Sequence, residues 1–154
     1  VGSRIIGGYE DQIQIRPEMA FFIPLIGATG GNVGVQSSAI IVQGLANNTL
    51  IVDKIAPKLF KELGVGLING LICSGLILGY NLLISESWAL AATVSVALFT
   101  VILCASFLGT FVPLMMNRFK INPALATGPF VTTLNDIIGI SIYFLVGRIL
   151  YSIL

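Results

Sequence analysis

The apolar positions of this chain fall in long blocks, and its charges gather at the ends of those blocks. Uncharged stretches run from Met19 to Val52, from Leu63 to Ser85 and from Ser87 to Asn117; a fourth, Ile121 to Gly147, is interrupted only by Asp136. A helix needs about 20 mostly apolar residues to cross the hydrocarbon core of a bilayer, so each block predicts a membrane-spanning helix. Helix-breaking residues mark the ends: Pro17 before the first block, Pro57 before the second, Asn122-Pro123 before the last. The predicted fold is all-α, a polytopic membrane helix bundle with full spans at ~18–46, ~58–84, ~87–117 and ~122–152. Residues 1–13, with Ile5 and Ile6 before Gly7-Gly8-Tyr9-Glu10-Asp11, read as the tail of a further, truncated span, which makes five helices the parent architecture. This opening is too short for a signal peptide and has acids where a small-residue cleavage site would fall. Residues 1–154 then form a single transmembrane domain.

Composition agrees with this reading and narrows the chemistry. Apolar residues make up 56% of the chain and charged residues 10%, against about 25% charged in soluble domains. A net charge of +1 gives no basic footprint for phosphate backbones, so nucleic acid is not an expected partner; membrane lipid is. The absence of histidine removes most transition-metal sites, the usual catalytic triads and any histidine proton relay, and leaves oxygen chemistry. Cys73 and Cys104 lie mid-block and read as small packing residues.

Orientation follows from the basic residues, which favour short cytoplasmic loops. Lys54, Lys58 and Lys61 follow the first full span, and Arg118 with Lys120 follows the third; the alternate loops carry Glu10, Asp11, Arg16 and Glu18 on one occasion and Glu86 on the other. A multi-pass cell-membrane protein with its C-terminus outside results. Arg148, near the C-terminal end, runs against the bias.

Glycines recur at i, i+4 spacing as Gly27/Gly31, Gly66/Gly70 and Gly75/Gly79, a pattern that lets helix backbones approach closely. Two segments go beyond packing. The first, Pro24 to Gln36, places glycine, threonine and amide side chains mid-span, with Thr29, Asn32, Gln36 and Gln43 at helical spacing on one face. Backbone loosened by Pro24 and Gly30-Gly31 would need protein or water beside it at that depth. The stripe reads either as interhelical hydrogen bonding or as the wall of an aqueous path.

The second segment runs from Gly128 to Gly139 and holds Asp136, the only acid well inside an apolar block. Thr132 stands one turn before it and Gly128 two turns before, while Gly139, Ile140 and Tyr143 continue the face. A mid-membrane carboxylate costs several kcal/mol unless it meets water, a cation or a partner. After Arg4 every Lys and Arg lies near a span end, so no base of this chain is placed to pair with it. A carboxylate among amide, hydroxyl and carbonyl oxygens suits a hard cation; magnesium binds through one or two carboxylates and keeps several waters. One carboxylate underbalances a divalent ion, and a two-fold homodimer with the last span at its axis would supply a second. Aspartyl protease chemistry, by contrast, needs two carboxylates sharing a proton, and the chain has one at this depth; no enzymatic role or resident cofactor is expected.

At these segments the sequence resembles the MgtE-type family of magnesium channels and transporters. The resemblance rests on Pro24…Gly30-Gly31-Asn32-Val33-Gly34-Val35-Gln36, on Lys61-Glu62-Leu63-Gly64-Val65-Gly66, and on Asn122-Pro123-Ala124…Gly128-Pro129-Phe130-Val131-Thr132-Thr133-Leu134-Asn135-Asp136 followed by Ile142-Tyr143. It implies a homodimer of five-helix protomers whose second and fifth helices line a pore at the two-fold axis. The family's ion-site aspartate falls on Asp136, with Thr132 and Gly128 as the metal positions one and two turns earlier; some members have asparagine where this chain has Gly128. Thr29, Gly30, Gly31, Asn32, Gln36, Thr133 and Tyr143 are then the expected pore-lining and selectivity residues. Members often carry an arginine near the end of the second span, where Gln43 stands here, and cytosolic regulatory domains ahead of the first helix. The implied function is uptake of magnesium, possible for other divalent cations too, down its electrochemical gradient; the alternative is a sodium- or proton-coupled exchanger.

Overall fold

The computed structural model describes residues 2–47, 55–84 and 87–153. Lys54 and Glu86, used above for orientation, lie outside the described residues. The described chain is helical throughout, in the order α1 (Gly2–Gly7), α2 (Glu10–Ile15), a 3₁₀ segment Pro17–Phe22, α3 (Ile23–Ala46), α4 (Ile55–Ile84), α5 (Trp88–Arg118), a 3₁₀ turn Pro123–Ala126 and α6 (Pro129–Leu150). Among the described residues, four helices are long and apolar enough to cross a membrane: Pro17–Ala46, which includes the 3₁₀ lead-in, Ala56–Ile84, Trp88–Arg118 and Pro129–Leu150.

The prolines and glycines explain where these helices start. Pro24 sits in the first turn of α3, where its missing N–H would have no partner in any case, so it opens the helix and does not break it. The Gly30-Gly31 pair stays helical as well, and the loosened backbone that the sequence led us to expect is not found. α6 begins later than the predicted ~122, because Asn122 caps the separate 3₁₀ turn through a bond from the Ala124 N–H (3.0 Å) and Gly128 then adopts a positive φ of 59° before Pro129. That backbone geometry is accessible mainly to glycine. Ser87 caps α5 by accepting from the Leu90 N–H at 3.2 Å.

α5 is the central helix, packed against α3, α4 and α6, and α3 also packs along α6. α4 lies at the edge, chiefly on α5, and leaves Ile68, Leu71, Ile72, Leu76 and Leu83 exposed for hydrocarbon. Association of helices in lipid gains little from the hydrophobic effect and depends on close packing and interhelical hydrogen bonds. Both are present. Gly34 of α3 and Gly109 of α5 meet backbone to backbone, and a Cβ on Gly109 would overlap the Gly34 carbonyl. On α4, a Cβ at Gly66 would stand 2.8 Å from Ser106 and one at Gly70 3.0 Å from Phe99, whereas among the described residues nothing lies within 4 Å of a Cβ at Gly75 or Gly79. Ser106 Oγ donates to the Glu62 carbonyl at 3.0 Å, tying α5 to α4, and Ser38 Oγ donates to the Ala126 carbonyl.

The core gathers Met19 of the 3₁₀ segment, Ile26 and Val33 of α3, Val94, Leu98, Val101 and Ile102 of α5, and Tyr143 and Phe144 of α6. Tyr9, in the turn before α2, stacks on Phe144 with ring centroids 4.8 Å apart, which holds the N-terminal segment to the bundle.

Candidate ion-binding site

α3 and α6 enclose between them a cavity of about 550 Å³. Its polar lining is Asn32 of α3 with Thr132, Thr133 and Asp136 of α6; Pro24, Gly27, Ala28 and Gly31 form the α3 wall, and Ile23, Ile137 and Ile140 complete it. The wall is thin for a steric reason. A Cβ added to Gly27 or to Gly31 would stand 3.6 Å from Asp136 Oδ1, and the one on Gly31 also 3.1 Å from Thr132 Cγ2. The two glycines, one turn apart, bring the α3 backbone beside the carboxylate.

Among the described residues no basic side chain is paired with Asp136 and no hydrogen bond to it is made. Nor does it belong to a cluster of three or more acids or thiols there that could hold a metal without help. α6 is continuous from Pro129 to Leu150, so Asn135-Asp136 caps no helix break. An unpaired carboxylate at mid-span is left with the cavity contents as its partner: water, a cation, or both.

The other predicted residues divide. Asn32, Gly31, Thr132 and Thr133 line the cavity with Asp136. Thr132 Oγ1 donates to the Gly128 carbonyl at 3.0 Å, which leaves the hydroxyl lone pairs to face the cavity as acceptors. That carbonyl also takes the Thr132 N–H at 3.0 Å, and Gly128 itself lies outside the cavity lining. Gly30 points away toward α5, where a Cβ would meet Val101 Cγ1 at 2.9 Å. Thr29 and Gln36 do not line the cavity; Gln36 is exposed one turn beyond Asn32. Tyr143 is fully buried in the core with its hydroxyl donating to the Met19 carbonyl at 2.9 Å, so in this chain it is a packing residue away from the cavity.

Sequence reasoning missed two participants. Gly27 read as helix packing, yet it borders the acid. Asn135 is buried against Gly34, with an amide nitrogen that has no hydrogen-bond partner among the described residues, directly beside Asp136 in sequence. The polar segment Gly30 to Gln36 on α3 and the Thr132–Asp136 run on α6 were legible, but nothing in either announces that Gly34 and Asn135 touch.

A helical bundle with four candidate spans among the described residues and an unpaired acid in a cavity between two of them defines a polytopic membrane protein with an intramembrane acid site. Residues 23–146 match the family model MgtE, described as a divalent cation transporter, and that stretch contains the whole cavity lining. The chain belongs to the MgtE family. It is 32% identical over 144 residues to the magnesium transporter MgtE of Bacillus subtilis (strain 168), an alignment that covers 94% of this chain and 32% of that protein. It is 35% identical over 154 residues to the magnesium transporter MgtE of Thermus thermophilus, covering 97% and 33%, and 31% identical over 142 residues to that of Enterococcus faecalis, covering 92% and 31%. The chain thus spans about a third of the length of the curated relatives it matches.

Proposed function

We propose that this chain is the conducting domain of a magnesium transporter, taking up magnesium, and other divalent cations to an extent set by hydration, through a pore at a homodimer axis. The observation that carries the reading is the unpaired Asp136 carboxylate facing a cavity whose remaining polar lining is Asn32, Thr132 and Thr133. Six waters occupy about 180 Å³ at their liquid volume of about 30 Å³ each, so a cavity of about 550 Å³ has room for magnesium with its inner shell. Asp136 supplies charge, and the neutral oxygens supply contacts to bound water that magnesium gives up reluctantly. The relatives carry the name magnesium transporter, which supports transport over catalysis.

Charge and exposure support the dimer. One carboxylate leaves a divalent ion half compensated, and Asn32, Gln36 and Gln43 form an exposed polar stripe on α3 of the single chain. Exposed amides are unfavourable against lipid, and a second copy across a two-fold axis would place both stripes on a shared aqueous path while doubling the carboxylates. An inside-negative potential assists entry by about 2.3 kcal/mol per charge per 100 mV, so a divalent ion needs no coupled gradient. The experiment is magnesium flux into proteoliposomes carrying the wild type or Asp136→Asn. Flux is abolished in the variant while assembly is unchanged; flux at the wild-type level would remove Asp136 from the mechanism.

A further inference from the structure

The end of the bundle where α3 begins and α6 finishes holds a second cavity, of about 270 Å³, that ion conduction does not use. Arg16 enters it from the residue between α2 and the 3₁₀ segment, Arg148 from the last turn of α6, and Tyr151 from just past that helix. Both sides belong to span ends, at Pro17 and at Leu150, so the cavity lies at a membrane boundary. Arg148 is also the residue whose position runs against the charge bias of the loops.

The charged groups that line the cavity among the described residues are two guanidinium groups. Among the described residues neither guanidinium is in an ion pair; Arg16 instead lies over the Tyr151 ring, 4.7 Å from its centroid. The Tyr151 hydroxyl and the Gln12 side-chain oxygen are buried there with no hydrogen-bond partner among the described residues. Burial, and after it the Glu18 carboxylate, push the Tyr151 phenol up while Arg16 pulls it down, so at neutral pH the hydroxyl keeps its proton and can donate. Among the described residues, the charged side chains of the lining are Arg16 and Arg148, so the lining is positive, with Glu18 acting on Tyr151 from outside it. Guanidinium groups bind phosphate oxygens through paired, charge-assisted hydrogen bonds.

Size and surroundings narrow the ligand class. The cavity is below the range of drug-sized pockets, which fits a headgroup and not a whole lipid. Ile15 of its lining is an exposed apolar side chain, as is Ile149, next to Arg148 in sequence, and acyl chains could lie on them. We propose that this cavity binds the phosphodiester headgroup of an anionic phospholipid, held by Arg16, Arg148 and the Tyr151 hydroxyl. A bound lipid would fasten the segment that carries Arg16 to the end of α6, the helix that bears Asp136.

The test uses the full chain, purified and delipidated, with retention on native mass spectrometry and thermal shift read for dioleoylphosphatidylglycerol, dioleoylphosphatidylcholine and inorganic phosphate. Phosphatidylglycerol is retained in preference to phosphatidylcholine, and Arg148→Gln and Arg16→Gln each weaken it about tenfold, the size expected for loss of a charged hydrogen bond. Tyr151→Phe weakens it less. Asp136→Asn leaves it unchanged, which separates this site from the conduction reading. Equal retention of the two lipids by the wild type would overturn the proposal even if an arginine variant fails to fold. Saturation by inorganic phosphate without lipid preference would assign the cavity to free phosphate and overturn the lipid, and phosphatidylglycerol binding that survives both arginine changes would overturn the site.

Discussion

Asp136 of α6 lies against Gly31 of α3, so close that a Cβ on the glycine would stand 3.6 Å from Oδ1 and 3.1 Å from the neighbouring Thr132 Cγ2. A glycine spacing that ordinarily brings two backbones together here brings the α3 backbone beside a charged side chain. The helix contact and the candidate site are therefore one feature, and substitutions at the glycines report on both.

Gly31→Ala and Gly27→Ala separate the two roles. The Gly31 Cβ meets Thr132 at 3.1 Å and forces it to move, while the Gly27 Cβ makes only an ordinary 3.6 Å contact with Asp136. Alanine gains up to about 1 kcal/mol of helix propensity over glycine at either position. Magnesium flux in proteoliposomes falls several-fold in Gly31→Ala and stays near wild type in Gly27→Ala, with thermal stability little changed in both. The reverse order would mean that the wall beside Asp136 is not the constriction.

Gly34→Ala tests the buried contact with Asn135. The added Cβ would overlap the Asn135 amide nitrogen, and α3 cannot retreat toward α5 because the Gly34 carbonyl already touches Gly109. Overpacking of this kind costs about 1–3 kcal/mol. The unfolding midpoint in detergent drops, and adding Asn135→Ala recovers most of the loss, since it removes both the clash and an unpartnered amide. Additive behaviour in the double-mutant cycle would show that the two residues do not meet.

Tyr143→Phe distinguishes a core residue from a pore residue. The hydroxyl bonds to the Met19 carbonyl at 2.9 Å in a fully buried setting. Its loss costs about 1 kcal/mol and lowers the melting temperature by a few degrees. Ion selectivity, measured as magnesium-to-calcium flux ratio, does not change; a changed ratio would return Tyr143 to the conduction path.

Thr132→Val and Asn32→Ala remove neutral oxygens while leaving Asp136 in place. Each lining group contributes one contact to hydrated cargo, so flux falls by less than in Asp136→Asn. Valine retains the threonine shape, and any flux loss in Thr132→Val at normal assembly belongs to the hydroxyl. Wild-type flux and selectivity in both variants would leave Asp136 acting alone.

Much of this was legible before any coordinates. The apolar blocks gave the candidate spans, because hydrocarbon admits only helices with their backbone bonds closed internally, and the isolation of Asp136 marked the acid as needing a partner. Asn32 was visible at helical spacing from Thr29 and Gln36, and Thr132 one turn before Asp136. Helical periodicity, however, gives only the relative angles of residues on one helix and not which neighbour each face meets. Thr29 and Gln36 share a nominal face with Asn32 yet miss the cavity, and Gly30 turns to Val101 on α5.

The sequence by itself determined the solvent: the length and hydropathy of its blocks require a bilayer, and the lone mid-block carboxylate requires something polar beside it. Tertiary structure decided what each face touches. The pairing of α3 with α6 put Gly27 and Gly31 beside Asp136, buried Tyr143 against the Met19 carbonyl, and joined Arg16 to Arg148 across a hundred and more residues of chain. Those neighbours depend on close steric fit between helices, and such fit is a property of the assembled surfaces that no single segment carries.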